Sequence, residues 1–178
     1  MEKKLIKYAN LILNYCLKLK RNQPILIVGT TLNHEFMNIL KGVAEGIGAK
    51  VYLQEIDKFQ ERELLLTSTY EECFNHPLFD RHLYNEMAIQ GGAVLSLSSP
   101  IPQLYDGVDS ELLGQVMKNQ EKQISVFREK QMKGEVPWCI VAASNEIWAE
   151  KLFPKSKNAV DELWNTIFDI CYVNEDSP

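Results

Sequence analysis

The sequence predicts an α/β protein: a three-layer α/β/α arrangement around a mainly parallel sheet of about four strands. Three observations point there. Short apolar runs recur at Ile25–Val28, Lys50–Ile56, Ala93–Ser98 and Val136–Ala142. Between them lie stretches whose apolar residues repeat at helical spacing, and strands that alternate with amphipathic helices form parallel sheets covered on both faces. Finally, 178 residues with 46% hydrophobic and 24% charged content can bury such a core without a disulfide or a structural metal.

The elements follow in order. Leu5, Ala9, Ile12, Cys16 and Leu19 predict one helix over residues 3 to 20, ended by Arg21-Asn22-Gln23-Pro24, because proline disfavours helical geometry in the residue before it. Ile25–Val28 is apolar throughout, as a strand buried on both faces should be. After the turn Gly29-Thr30-Thr31 comes a second helix, with Phe36, Met37, Leu40, Val43, Ala44 and Ile47 on one side and Gly48 as its stop. Lys50–Ile56 is the second strand, with Val51, Leu53 and Ile56 assigned to its better buried side. Residues 59 to 90 predict two or three short helices broken at His76-Pro77, with Leu64, Leu65, Phe74, Leu83, Met87 and Ile89 as their apolar positions. Gly91-Gly92 leads into the third strand, and Ser99-Pro100-Ile101-Pro102 forms a rigid turn after it. Asp109 is the N-cap of a long helix carrying Leu112, Leu113, Val116, Ile124 and Phe127 up to Gly134. Val136–Ala142 is the fourth strand, Asn145–Leu152 a short helix, and residues 158 to 172 the last helix, with Leu163, Trp164, Ile167 and Phe168 facing inward. The expected strand order is 2-1-3-4, with a crevice at the carboxyl ends of the strands.

Charge and composition exclude several functions. A net charge of -5, with four Arg among 19 basic residues, argues against a nucleic-acid surface, and the basic run Lys18-Leu19-Lys20-Arg21 suits a solvated helix end. The first helix is interrupted by Lys7, Asn10, Asn14 and Lys18, which fits neither a signal peptide nor a membrane span, so the cytoplasm is the expected compartment. Cys16, Cys73, Cys139 and Cys171 form no CxxC pair and read as structural thiols.

Catalytic patterns are missing. His34, His76 and His82 are scattered, and His34-Glu35 lacks the second histidine of a zincin helix. The Gly29–Asn33 loop matches no phosphate-binding fingerprint, and no GxSxG elbow accompanies Ser98, Ser99 or Ser144. One candidate site remains on the residues alone: a small-ligand crevice formed by Thr30, Thr31, Ser98, Ser99 and Ser144, at the strand ends.

The run Val136-Pro137-Trp138-Cys139-Ile140-Val141-Ala142-Ala143, followed by Trp148-Ala149 and Phe153-Pro154, closely resembles the thermophilic-type metallo-aminopeptidases. So do the opening Leu5-Ile6-Lys7-Tyr8-Ala9, the segment Gln23–Ile27, Ser96-Leu97-Ser98 with Gly107-Val108-Asp109, and the last helix with Leu163-Trp164 and Ile167-Phe168. The resemblance implies that residues 1–173 are a non-catalytic amino-terminal α/β domain and that residues 174–178 begin an interdomain linker. It implies a C-terminal catalytic domain beyond them, holding two divalent metal ions (cobalt, zinc or magnesium), with no catalytic residue, metal ligand or cofactor in this chain. The whole enzyme would remove residues from the amino terminus of a peptide substrate and would form a homodimer. The alternatives are a freestanding small-ligand binder using the crevice above, or a degenerate regulatory subunit of an aminopeptidase. The large apolar residues Trp148, Leu152, Phe153, Trp164, Phe168 and Tyr172 exceed what four strands can pack, so an exposed apolar patch is expected near the C-terminal end.

Overall fold

A computed structural model describes residues 1–173; the expected linker at 174–178 lies outside the described residues. Four strands, β1 (Pro24–Thr30), β2 (Lys50–Ile56), β3 (Ala93–Ser98) and β4 (Trp138–Ala142), pair in the order β2-β1-β3-β4, all parallel. Helices cover both faces. On one lie α1 (Glu2–Asn10), α2 (His34–Ile47), α8 (Glu146–Leu152) and α9 (Ala159–Ile170), packed on Ile25, Ile27, Leu95, Leu97 and Val141. The other face, with Leu26, Val28 and Val94, is covered by α5 (Leu83–Ile89) and α7 (Ser125–Met132) through Met87, Ile124 and Phe127. A satellite cluster joins α3 (Lys58–Thr67), α4 (Tyr70–Asn75) and α6 (Ser110–Gln123) through Leu65, Cys73, Phe79 and Val116. The three-layer α/β fold with its strand order is therefore as the apolar pattern predicts.

β1 needs a glycine where it does because α2 lies close: a Cβ on Gly29 would sit 2.7 Å from Met37 Sδ and 3.1 Å from Leu97 Cδ1. Gly48 caps α2 in the left-handed region, at φ 89°, where its amide bonds back to the last turn.

Several elements differ from the sequence expectation. The first helix is not continuous to residue 20. α1 widens into a π-helical segment, Leu11–Cys16, in which the Leu17 amide reaches the Ile12 carbonyl at 2.9 Å. A π turn holds more residues than an α turn, so the residue below Ile12 and Leu13 is Leu17 rather than Cys16. Leu17 is consequently buried and Cys16 exposed, which reverses the inward placement of Cys16 read from α-helical spacing.

The helix after Asp109 is capped as expected, by Asp109 Oδ1 accepting from the Leu112 amide at 2.7 Å, but it breaks at Ile124 into α6 and α7. Asn85 of α5 satisfies both ends of the break, donating to the Gln123 carbonyl and accepting from the Phe127 amide. The break turns α6 toward the satellite cluster and Phe127 toward the sheet, which one straight helix could not do.

β4 begins at Trp138, two residues later than expected; Pro137 still presents its carbonyl to the Val94 amide at 3.0 Å but has no N–H to donate. On β2, Val51 and Leu53 pack on one face while Ile56 is buried on the other, because strand neighbours alternate and position 56 has the opposite parity. In the excursion from 58 to 89, Leu65 and Met87 are buried but Phe74, Leu83 and Ile89 are exposed, since each short helix is covered on one side only. Of the crowded C-terminal residues, Trp164 and Phe168 are buried, whereas Leu152 and Tyr172 are exposed.

Candidate functional site

The crevice expected at the carboxyl ends of the strands is present, and its floor is a hydrogen-bonded polar cluster. β1 delivers Thr30, after which a 3-10 turn (Thr31–Asn33) opens α2. β3 delivers Ser98 and then Ser99 and Pro100; β4 leads through Ala143 to Ser144 and Asn145, the cap of α8. These three strand ends are neighbours in the sheet, so the loops that follow converge.

Asn33 and Asn145, both buried, are the hubs of the cluster. The Thr30 hydroxyl donates to Asn33 Oδ1 at 3.0 Å, and Asn33 Nδ2 donates to Ser99 Oγ at 3.0 Å and to the Ser144 carbonyl at 3.2 Å. Asn145 Nδ2 donates to Ser99 Oγ at 2.8 Å and to the Pro100 carbonyl at 2.9 Å, while its Oδ1 accepts the Trp148 amide at 2.8 Å. The Ser144 hydroxyl turns away, donating to the Val160 carbonyl at 3.3 Å. Thus Thr30, Ser99 and Ser144 come together in one network, whereas Thr31 and Ser98 are exposed and lie outside it. Asn33 and Asn145 were not singled out as site residues, although Asn145 at the start of a predicted helix is a cap signal.

Above the cluster is an open cleft of about 460 Å³ bordered by Thr31, Asn33, Glu35, Ser144, Glu146 and Trp164. At its rim His34 has both ring nitrogens engaged: Nδ1 is 2.8 Å from Glu55 Oε1 and Nε2 is 2.8 Å from Asn38 Nδ2, so the neutral tautomer that donates to Glu55 and accepts from Asn38 fits. His76 Nδ1 accepts the Leu78 amide at 3.2 Å, and the His82 amide bonds to Asp80. Among the described residues, no three His, Cys, Asp or Glu side chains are grouped so as to hold a metal ion.

The arrangement holds loops rather than activating a nucleophile: each amide hub ties together segments far apart in the chain. Asn145→Ala removes the α8 cap and the hydrogen bonds to Ser99 Oγ and the Pro100 carbonyl, so the folded state should lose about 2–3 kcal/mol. A urea titration following tryptophan fluorescence checks this; a midpoint equal to that of the parent chain would show that the cluster is not a clamp.

A second buried polar group lies behind α3. Glu61 Oε1 accepts from Arg81 Nη2 at 2.7 Å, and Lys58 bonds the other carboxylate oxygen. The hydroxyl of Tyr105, in the segment after β3, is pushed up to about 12, by burial first and then by the Glu61 charge, so it stays protonated at neutral pH. The spacing of Glu61 and Arg81 shows no periodic relation, so nothing in the sequence signals the pair.

Comparison with known proteins gives concordant results. Residues 1–178 match the family described as thermophilic metalloprotease (M29). The chain is 29% identical over 182 aligned residues to aminopeptidase AmpS of Bacillus subtilis (strain 168), covering 98% of this chain and 43% of that protein. It is 26% identical to aminopeptidase 2 of Geobacillus stearothermophilus, covering 99% of this chain and 44% of that protein. The fold superposes on wild-type AmpT from Thermus thermophilus with a TM-score of 0.82 at 24% identity, over 94% of this chain and 43% of that one. The chain therefore spans less than half the length of the relatives it matches.

Proposed function

The chain belongs to the thermophilic metalloprotease family M29, and from that premise we propose that it acts as the amino-terminal, non-catalytic α/β domain (residues 1–173) of a metal-dependent aminopeptidase. One observation carries the reading: the likeness to AmpS takes in 98% of this chain but only 43% of AmpS. The catalytic chemistry then belongs to a C-terminal part that this chain does not contain, and that part holds the two divalent metal ions and acts on the peptide. The donor set here is compatible with this division: His34 and His76 use ring nitrogens in local hydrogen bonds, and among the described residues no three His, Cys, Asp or Glu side chains are grouped so as to hold a metal ion. In this role the α/β unit supplies a rigid wall against which the catalytic part packs, and the whole enzyme works as a homodimer in the cytoplasm.

Two measurements test the assignment. Calorimetric titration of the chain with zinc and cobalt should show no stoichiometric binding tighter than micromolar, and aminoacyl reporter substrates should not be turned over. Submicromolar metal binding coupled to hydrolysis by this chain alone would overturn the reading.

A further inference from the structure

The two edges of the sheet are built differently. β2, at one edge, carries the exposed charges of Lys50 and Glu55, a usual guard against another strand adding to a free edge. β4, at the other, reads Trp-Cys-Ile-Val-Ala, with no charged residue and no proline inside it. Among the described residues no strand lies beyond β4. Trp138 and Ile140 are 47% and 61% exposed, so one face of this edge is largely open to solvent.

The backbone is arranged to match. The Val94 amide donates to the Pro137 carbonyl at 3.0 Å and the Ala143 amide to the Ser98 carbonyl at 2.9 Å, so the odd-numbered residues of β4 bond to β3. The N–H and C=O groups of Trp138, Ile140 and Ala142 therefore point away from the sheet, along the free edge. Two of these carbonyls have local contacts, from the Tyr8 hydroxyl to Ala142 at 3.3 Å and from the Cys139 thiol to Ile140 at 3.9 Å. Each keeps a second lone pair for a strand.

We propose that β4 pairs antiparallel with β4 of a second copy of this chain, about a two-fold axis at Ile140, so that two four-stranded sheets join into one. The strand is complementary to itself. The register that overlaps all five residues sets Ile140 opposite its own copy and Trp138 opposite the partner's Ala142. It also brings the outward N–H and C=O groups of the even-numbered residues face to face, as an antiparallel ladder requires. On the open face the large indole of each copy lies beside the smallest side chain of the other, and no like charges meet. A flush join along a strand of about 17 Å, with a side-chain layer about 10 Å deep on either face, covers on the order of 500 Å² of each copy. That area is near the lower bound for a specific interface, so the pairing is weak and set by concentration. The symmetric join uses both β4 edges and β2 is guarded, so assembly closes at two copies. The pairing uses only residues of this chain and is independent of the catalytic assignment.

The experiment uses the whole 178-residue chain, kept reduced, in sedimentation velocity over a series from micromolar to submillimolar concentration. The average mass should rise from monomer toward dimer and no further. Amide exchange followed by nuclear magnetic resonance should slow about tenfold at Trp138, Ile140 and Ala142 between the two ends of the series, with Cys139 and Val141 protected throughout. Ile140→Lys, which sets two like charges opposite each other at the axis, should leave a folded monomer at every concentration. Tyr52→Lys, at an exposed position of β2, should leave the association as it is in the parent chain. A parent chain that stays monomeric, open-ended growth, exchange at the three amides that does not change with concentration, or a dimer that survives Ile140→Lys would each overturn the proposal.

Discussion

Truncation of Trp164 to alanine is expected to cost the fold about 3–5 kcal/mol, the usual range for a large aromatic removed from a core. The side chain is 6% exposed and is one of four clustered aromatic side chains contributed by three helices. Phe36 meets it edge-on at 5.1 Å, Phe168 stacks at 5.6 Å, and Tyr8 lies edge-on at 6.4 Å, itself stacked on Phe36 at 5.7 Å. Removing the indole therefore leaves a void among aromatic neighbours that cannot all collapse into it, because each is anchored to a different helix. Trp164→Phe should recover a large part of the loss. Urea denaturation followed by circular dichroism measures both; a loss below about 1 kcal/mol for the alanine variant would mean that α9 is not anchored through this residue.

The second large effect is expected at Glu61. The carboxylate is 2% exposed, and Glu61→Ala leaves the Arg81 guanidinium buried without its partner, which should destabilise by about 3–5 kcal/mol. Arg81 also donates to the Leu78 carbonyl at 2.7 Å and to the Asp80 carbonyl at 2.9 Å, so it cannot swing into solvent without releasing the turn that carries Phe79. The decisive comparison is a double-mutant cycle. Glu61→Met with Arg81→Met removes both charges together and should cost less than the sum of the single changes. Strict additivity would mean that the two charges do not interact across the α3–α5 excursion.

What the sequence shows of this fold follows from how local each signal is. The strands β1, β2 and β3 are legible because apolar runs bounded by Pro24, Gly48 and Gly91-Gly92 need only short-range information. Their order follows from the general geometry of doubly wound sheets. The π-helical segment and the break at Ile124 are different. Both depend on what lies opposite: in the first case the sheet beneath Leu13 and Leu17, in the second the Asn85 side chain that satisfies the interrupted ends. For the same reason Thr30, Ser99 and Ser144 are predictable as strand-end residues, whereas Asn33 and Asn145 as hubs are not. The hydrogen bond from Asn33 to Ser144 joins residues separated by 111 positions, and no pattern in either segment announces it.

The placement of the aromatic cluster sets a timetable for synthesis. Tyr8 and Phe36 emerge early, with the first βαβ unit complete by Ile56, yet Trp164 and Phe168 arrive only with α9 at the other end of the chain. Until then that face of the growing sheet is covered only in part, by α1, α2 and then α8, and the Tyr8 and Phe36 rings lack their partners from α9. Exposed apolar surface of this kind is what chaperones retain and what nascent chains aggregate through. A translational pause placed before α9 should therefore lengthen the vulnerable interval more than one of equal duration after it.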